Sequence, residues 1–273
     1  MNPAPYTFRV GHAACTVLLD GMSRLDVERM LKRFPDVPEA EQRRAYADLG
    51  LTLEDATSWL NVLLVRLDGE TLLIDTGEGG RLLAQMQQAG IAPETVTQVI
   101  ITHTHGDHVQ GLLTADGQPA FPNATYVITA AELAAWESRI DAGLADHRPL
   151  VTLMQQRGLR QIDLDADILP GVRAVPIPGH TPGQIGVRIE SAGESLLHLA
   201  DLLHSPMQFA HPEWSVRFDA DTTQSVPTRR AALAQAADSG VLTLFYHLAF
   251  PGLGRVTRAG QAFAWEPLPP SGP

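Results

Sequence analysis

The segment Ile100-Ile101-Thr102-His103-Thr104-His105-Gly106-Asp107-His108 constrains this chain more than any other. A β-type apolar run ends abruptly in three histidines and a carboxylate within six positions. Imidazole and carboxylate are the side chains that hold divalent transition metals, at about 2.0–2.2 Å. Alternate residues of an extended stretch point the same way, so His103 and His105 are placed to grip one ion together. Gly106 permits a sharp turn, after which Asp107 and His108 enter the first turn of a helix and face a different point. The spacing predicts two adjacent metals rather than one. A ligand-free patch would instead crowd up to three imidazolium charges together with no visible compensation.

Three further candidates stand where other apolar runs end. His180 lies in the tight turn Pro178-Gly179-His180-Thr181-Pro182-Gly183. Asp201 closes Leu196-Leu197-His198-Leu199-Ala200, a strand that would otherwise bury a charge at real cost. His247 follows Leu244-Phe245-Tyr246. Site residues of layered α/β folds collect at strand ends, where loops hold them on a rigid frame. His198 alternates with the residues of its strand and is expected on the far side of the sheet. His12, His147 and His211 carry no assignment.

The rest of the chain reads as alternating strands and helices, an α/β or α+β class with sheets covered by helices. Strands are expected within residues 6–20, closed by an Asp20-Gly21 turn, and over 96–102, 125–129, 172–177, 185–189, 196–200 and 241–246. Two apolar runs around Asp68-Gly69 form a hairpin. Helices are expected over 24–34, 39–50, 81–89, 130–138 and 228–237. Residues 1–265 read as one domain, with the polar helices at about 22–58 a candidate lid or dimerisation element. Residues 266–273 form a Pro-rich tail, read as frayed.

Composition narrows the function. The 44% hydrophobic content excludes a disordered chain, and no apolar run approaches the roughly 18 residues of a membrane span. A net charge of −11 disfavours nucleic acid. One cysteine, Cys15, excludes a disulfide framework and a Cys-built zinc site. The first dozen residues lack the pattern of a secretory signal, so a cytoplasmic protein with a small-molecule substrate is expected, with a homodimer left open.

With these residues assembled, the chain resembles the metallo-β-lactamase superfamily of αββα hydrolases, over nearly its whole length from Asn61 and Leu73-Ile74-Asp75-Thr76-Gly77 to His247. The resemblance implies a four-layer αββα sandwich. It implies that His103, His105 and His180 bind a first metal, that Asp107, His108 and His247 bind a second, and that Asp201 bridges both. Asp75 matches the carboxylate that orients ligands from beneath. Within the superfamily, the branch containing methyl parathion hydrolase and acyl-homoserine lactonases is the most similar. That likeness rests on Val17-Leu18-Leu19-Asp20-Gly21, on Asp201-Leu202-Leu203-His204 with Gln208-Phe209 and Pro212, and on residues 247–254.

The implied activity is hydrolysis of an ester, lactone or phosphotriester by a hydroxide bridging two divalent ions, zinc first among zinc, manganese, iron and cobalt. Asp107 and Asp201 then belong to the catalytic set, and His204 is a candidate proton donor or substrate hydrogen bond. Met22, Trp59, Met207, Phe209, Trp214 and Phe250 are candidates to line an apolar pocket. Two alternatives stay open: a mononuclear iron persulfide dioxygenase using His103, His180 and Asp201, and a glyoxalase II-like thioester hydrolase.

Overall fold

Apolar runs too long for one-sided burial fill this chain, and the computed structural model, which describes residues 3–269, buries both of their faces. One sheet contains, in chain order, β1 (Tyr6–Val10), β2 (Ala13–Arg24), β3 (Thr57–Leu67), β4 (Glu70–Ile74), β5 (Gln98–Ile100), β6 (Thr125–Thr129) and β7 (Leu159–Ile162). The other contains β8 (Asp167–Leu169), β9 (Val172–Pro176), β10 (Ile185–Ser191), β11 (Glu194–His198), β12 (Leu242–Leu244), β13 (Leu253–Ala259) and β14 (Ala262–Pro267). Strand neighbours in space are neighbours in sequence throughout both sheets.

Side-chain alternation builds the layers. Leu72 and Ile74 of β4 join Ile100, Val127, Val187 and Leu196 in the core between the sheets. Leu73, Val99 and Tyr126 point the other way, onto α3 (Leu82–Gln88), α5 (Ala130–Asp141) and α6 (Arg148–Arg157) through Met86, Trp136 and Met154. On the outer side of the second sheet, Leu197 and Leu199 pack against Leu233 and Ala236 of α8 (Thr222–Ser239) and Phe209 of α7 (Met207–Ala210). Each such large side chain contributes on the order of 1.5–3 kcal/mol when fully buried. The result is the four-layer αββα sandwich. No helix among the described residues is long and apolar enough to cross a membrane.

A fourth apolar cluster roofs one edge of this sandwich. Met30 and Phe34, on and just after α1 (Val27–Arg33), meet Ala45 and Tyr46 of α2 (Glu39–Asp48), and all pack against Met207, Trp214 and Val216. Gln42 ties the two helices by donating to the carbonyls of Phe34 at 3.0 Å and Val37 at 2.9 Å. Despite their charged outer faces, these helices are anchored to the segment that follows Asp201.

Topology decides which edge carries the chemistry. In the first sheet β4, β5 and β6 run parallel, and in the second β11 and β12 do. Parallel strands present their carboxyl ends on one side. Two backbone hydrogen bonds join the sheets there, Ile185 N–H to Thr102 O at 3.1 Å and Asn61 N–H to Tyr246 O at 3.1 Å.

Several expectations are corrected. Asp20-Gly21 makes no turn: β2 continues to Arg24 through a bulge between Leu19 and Gly21. Asp20 is buried there because its carboxylate accepts the N–H groups of Glu78, Arg81 and Leu82, each at 2.8 Å. The strands at 96–102 and 241–246 shrink to β5 and β12, since their last residues turn away as loops. The helix at 228–237 begins at Thr222, capped by Asp221, and runs through Pro227. Helix α6 was not anticipated. Pairing of β13 with β14 reaches Pro267, opposite Gly254, so the segment read as a frayed tail begins as strand; residues 270–273 lie outside the described region. The Asp68-Gly69 hairpin holds, with both residues at the positive φ (50° and 86°) its two-residue turn demands.

Asp20→Ala is expected to strand buried N–H donors and cost about 3 kcal/mol of stability, measured by denaturant unfolding, with Asp20→Asn intermediate.

Candidate metal centre

Each candidate side chain reaches this edge from its own element. His103 and His105 lie in the loop after β5, and Asp107 and His108 in the short helix α4 (Gly106–Val109). His180 occupies the turn between β9 and β10, while Asp201 and His247 follow β11 and β12. Ala200 adopts φ 39°, a left-handed conformation costing roughly 1–2 kcal/mol outside glycine, in the turn that delivers Asp201.

All seven converge. Nε2 of His103 and Nε2 of His180 lie 3.2 and 2.9 Å from Nδ1 of His105. Oδ2 of Asp201 is 3.6 Å from His103 Nε2 and 3.4 Å from His180 Nε2. On the other side, Oδ1 of Asp201 is 3.0 Å from His108 Nε2, and Oδ2 is 3.0 Å from His247 Nε2. Asp107 Oδ2 completes this second group, 3.5 Å from His247 Nε2 and 4.0 Å from His108 Nε2. Within each group the donor atoms lie within 4.8 Å of one another.

The outer nitrogens explain why the inner ones are free. His180 Nδ1 faces Asp219 Oδ1 at 2.9 Å, and His108 Nδ1 faces Asp75 Oδ2 at 2.8 Å. A carboxylate only accepts, so both rings hold their proton on Nδ1. His247 Nδ1 donates to the Trp59 carbonyl at 2.9 Å. A neutral ring then turns a bare Nε2 lone pair inward. His108 Nε2 and Asp201 Oδ1 are buried without any hydrogen-bond partner. Lone pairs that crowd one another in a dry site fit a divalent cation and little else.

With protons alone and no cation, the same atoms are poorly reconciled. Burial raises the pKa of Asp201, but His108, His247 and His103 outweigh it and hold the carboxyl well below its usual range. Burial works against a charged ring at His180, yet Asp201 and Asp219 lift its pKa to about 9. His108 follows the same pattern, its burial overcome by Asp201, Asp75 and Asp107. His105 is pushed down to about 3 by burial and by His180. Protons alone therefore neutralise this cluster unevenly, one ring charged beside another that cannot be.

Supporting contacts, invisible in the local sequence, hold the loops. Thr102 donates to Asp75 through its N–H at 2.8 Å and its hydroxyl at 2.7 Å. Glu132, fully buried, accepts from Thr104 N–H and hydroxyl (2.9 and 2.6 Å), Thr181 hydroxyl (2.6 Å) and Gly183 N–H (3.1 Å). One carboxylate thus ties the His103–His105 loop to the His180 turn. Thr129-x-x-Glu132 looks in sequence like an ordinary helix-start box. Only the hydroxyl of Thr129 serves the helix, and the carboxylate crosses to the loops. Tyr246 donates to the Asp107 carbonyl at 2.6 Å and lays its ring over His108, centroids 4.0 Å apart.

A cavity of about 350 Å³ opens onto the cluster, lined by Arg33, Glu78, His105, Asp107, His180, Asp201, His204, Phe218 and His247. His204 reaches the site, with Nε2 3.1 Å from Asp201 Oδ2 and its ring stacked on His247 at 5.0 Å. Burial drives its pKa down to about 3. None of the six apolar candidates is among the cavity's lining residues: Met22 is 52% exposed, Met207 and Trp214 build the roof cluster, Phe209 packs under α8, and Trp59 contributes its carbonyl. Phe250 packs against the inter-sheet core. Phe218 is the aromatic that lines it. His198 shares the inward face of β11 with Leu196, close enough to Asp75 and His108 to feel their charge, and burial pushes it down to about 4; it does not face away.

The fold and this cluster define a class, and comparison with known proteins agrees. The model of the metallo-beta-lactamase superfamily matches residues 60–242, and the chain belongs to that superfamily. Among solved structures, it is similar to AidC, described as a dizinc quorum-quenching lactonase in complex with a product, N-hexanoyl-L-homoserine (TM-score 0.88, 27% identity, 97% of this chain and 98% of that one). It is equally similar to AbOPH, a hydrolase in the beta-lactamase superfamily (TM-score 0.89, 26% identity, 98% of both chains). Among curated relatives, ribonuclease Z of Methanothermobacter thermautotrophicus is 48% identical over 50 residues, 18% of this chain and 16% of its own length. N-acyl homoserine lactonase of Bacillus cereus is 28% identical over 122 residues, 45% of this chain and 44% of its own. The chain spans less than half the length of these curated relatives.

Glu132→Ala removes the acceptor shared by two loops. Its expected outcome is a loss of about 3 kcal/mol or more in denaturant unfolding, because several buried donors lose their partner at once.

Proposed function

We propose that this protein is a dinuclear metal-dependent hydrolase acting on the carbonyl of a lactone or related ester, with phosphotriesters as a further class to test. One observation carries the reading: a single buried carboxylate, Asp201, stands between two groups of inward-turned nitrogen and oxygen donors, its Oδ1 against His108 and its Oδ2 against both His180 and His247. His103, His105 and His180 are assigned to one cation, Asp107, His108 and His247 to the other, and Asp201 to both. The likeness to AidC supports zinc and a lactone substrate. The similarity to the Bacillus cereus lactonase supports the same substrate class.

When bound, such a pair of cations supplies water activated at neutral pH and an electrophile for the attacked oxygen. The chain supplies geometry. Asp75, Asp219 and the Trp59 carbonyl hold three imidazoles in the tautomer and orientation that ligation requires. His204 is assigned as hydrogen-bond donor to a substrate oxygen. Its ring is pinned by His247 and by its backbone N–H, which donates to Gln208 at 2.7 Å.

Metal analysis of protein reconstituted with zinc, manganese or cobalt is expected to find close to two ions per chain; finding none sinks the proposal. On a panel of lactones, aryl esters and paraoxon-type triesters, lactone turnover should lead, and Asp201→Ala should lose one ion and at least roughly 100-fold in rate. Asp219→Asn should fold normally and bind metal roughly 10–100-fold more weakly in chelator competition. His204→Phe is expected to keep both ions and lose roughly 10²–10³-fold in kcat, the size of one lost transition-state donor; unchanged kcat would remove His204 from the assignment.

A further inference from the structure

Two arginines are carried inward near the site, and the structure treats them oppositely. Arg229 of α8 is buried and well partnered: it donates to the carbonyls of Leu202 (2.9 Å), Pro212 (2.9 Å) and Trp214 (3.2 Å) and to Asp219 Oδ2 (3.0 Å). Its role is to hold the segment that carries His204. Arg33 ends α1 and lines the cavity beside His204, Asp107 and Phe218. A guanidinium has five N–H donors. Among the described residues, one protein acceptor meets those of Arg33, the His204 carbonyl at 3.4 Å, and no carboxylate lies within 4.0 Å.

The backbone that carries this side chain is held in position. Arg33's carbonyl accepts the N–H of Arg217 at 2.9 Å, and its neighbours Met30 and Phe34 are locked in the roof cluster. Burial of the guanidinium lowers its pKa, partly offset by Tyr46 and by Asp201 and Asp107. Those two carboxylates are the ones the proposed cations claim. The remaining cavity carboxylate, Glu78, lies toward Asp107 and His247 and makes no ion pair with Arg33. A half-buried guanidinium that meets one protein acceptor and lines a small cavity suits an oxygen acceptor delivered by a ligand.

We infer that Arg33 is a specificity-determining residue, binding a substrate oxygen outside the scissile ester. This rests on the hydrolase reading above. The shared chemistry is an acceptor oxygen close to the lactone ring, supplied either by an acylamido carbonyl or by a carboxylate. The fork of Arg33 orients that group, so the ring carbonyl is presented to the cluster from one direction.

The test compares N-hexanoyl homoserine lactone, γ-carboxy-γ-butyrolactone and unsubstituted γ-butyrolactone on zinc-loaded wild type, R33M and R33K. In R33M, kcat/KM for at least one acceptor-bearing lactone should fall about ten-fold or more relative to γ-butyrolactone, chiefly through KM, with zinc content unchanged. R33K should recover part of that preference. Whichever substrate loses its advantage identifies the carbonyl or the carboxylate as the group held. Equal losses on all three lactones, or no loss, overturn the inference. If two zinc ions are bound but no ring is opened, the lactonase reading fails by itself. Calorimetric binding of the same three compounds then reads Arg33: weaker binding in R33M confined to the acceptor-bearing pair supports the inference. Equal binding, or none to wild type, overturns it. Should R33M not retain zinc, R33Q takes its place in every comparison.

Discussion

A carboxylate buried at the meeting edge of two sheets is the constraint around which this structure is arranged. Asp201 has 2% of its surface exposed and stands among His103, His108, His180, His204 and His247. An isolated ionised carboxylate in such a place would be strongly unfavourable. Histidines alone compensate it badly, since charging one ring suppresses the next. Two divalent cations of the kind proposed would resolve that conflict: each imidazole would then be a neutral donor, and each oxygen of Asp201 would have a partner.

The packing around the cluster exists to keep those donors turned inward. Asp75, Asp219 and the Trp59 carbonyl each take the outer proton of one histidine. Glu132 ties the His103–His105 loop to the turn that carries His180, and Arg229 secures Asp219 while gripping the chain at Leu202. These are charge-assisted or buried hydrogen bonds, individually worth more than exposed ones. The charged pairs on the surface, such as Lys32 with Glu28 or Arg43 with Glu39, contribute little by comparison.

The roof helices supply the cavity's character. Their own apolar cluster fixes them over the segment following Asp201, so Arg33 and Phe218 meet across a space whose floor is the histidine cluster. The cavity is more polar than the sequence led one to expect. Met207, Trp214, Phe209 and Phe250, which looked like pocket walls by their aromatic or thioether character, instead pack in or against cores, because large apolar groups near a strand end have nearby helices to pack against. Glu78 and Arg33, charged and unremarkable in the sequence, line the cavity instead.

The clustered imidazoles and carboxylates were legible in the sequence because their signal is local: donors spaced to face one point at the end of a β-run, and single histidines or a carboxylate closing apolar strands. The layered fold was legible for the same reason, since period-two patterning and runs buried on both faces follow from chain geometry alone. Asp20, Glu132, Asp219 and Arg33 were not. An acid or a base carries no mark in sequence of the partner it meets, and those partners lie 58, 28, 39 and 171 positions away. Sequence thus determined which side chains were available to hold cations and roughly where strands would place them. The tertiary structure alone decided which nitrogen of each ring faces inward, which charges are buried together, and what a ligand entering the cavity meets. Those properties depend on contacts between distant segments, and such contacts exist only once both sheets are packed.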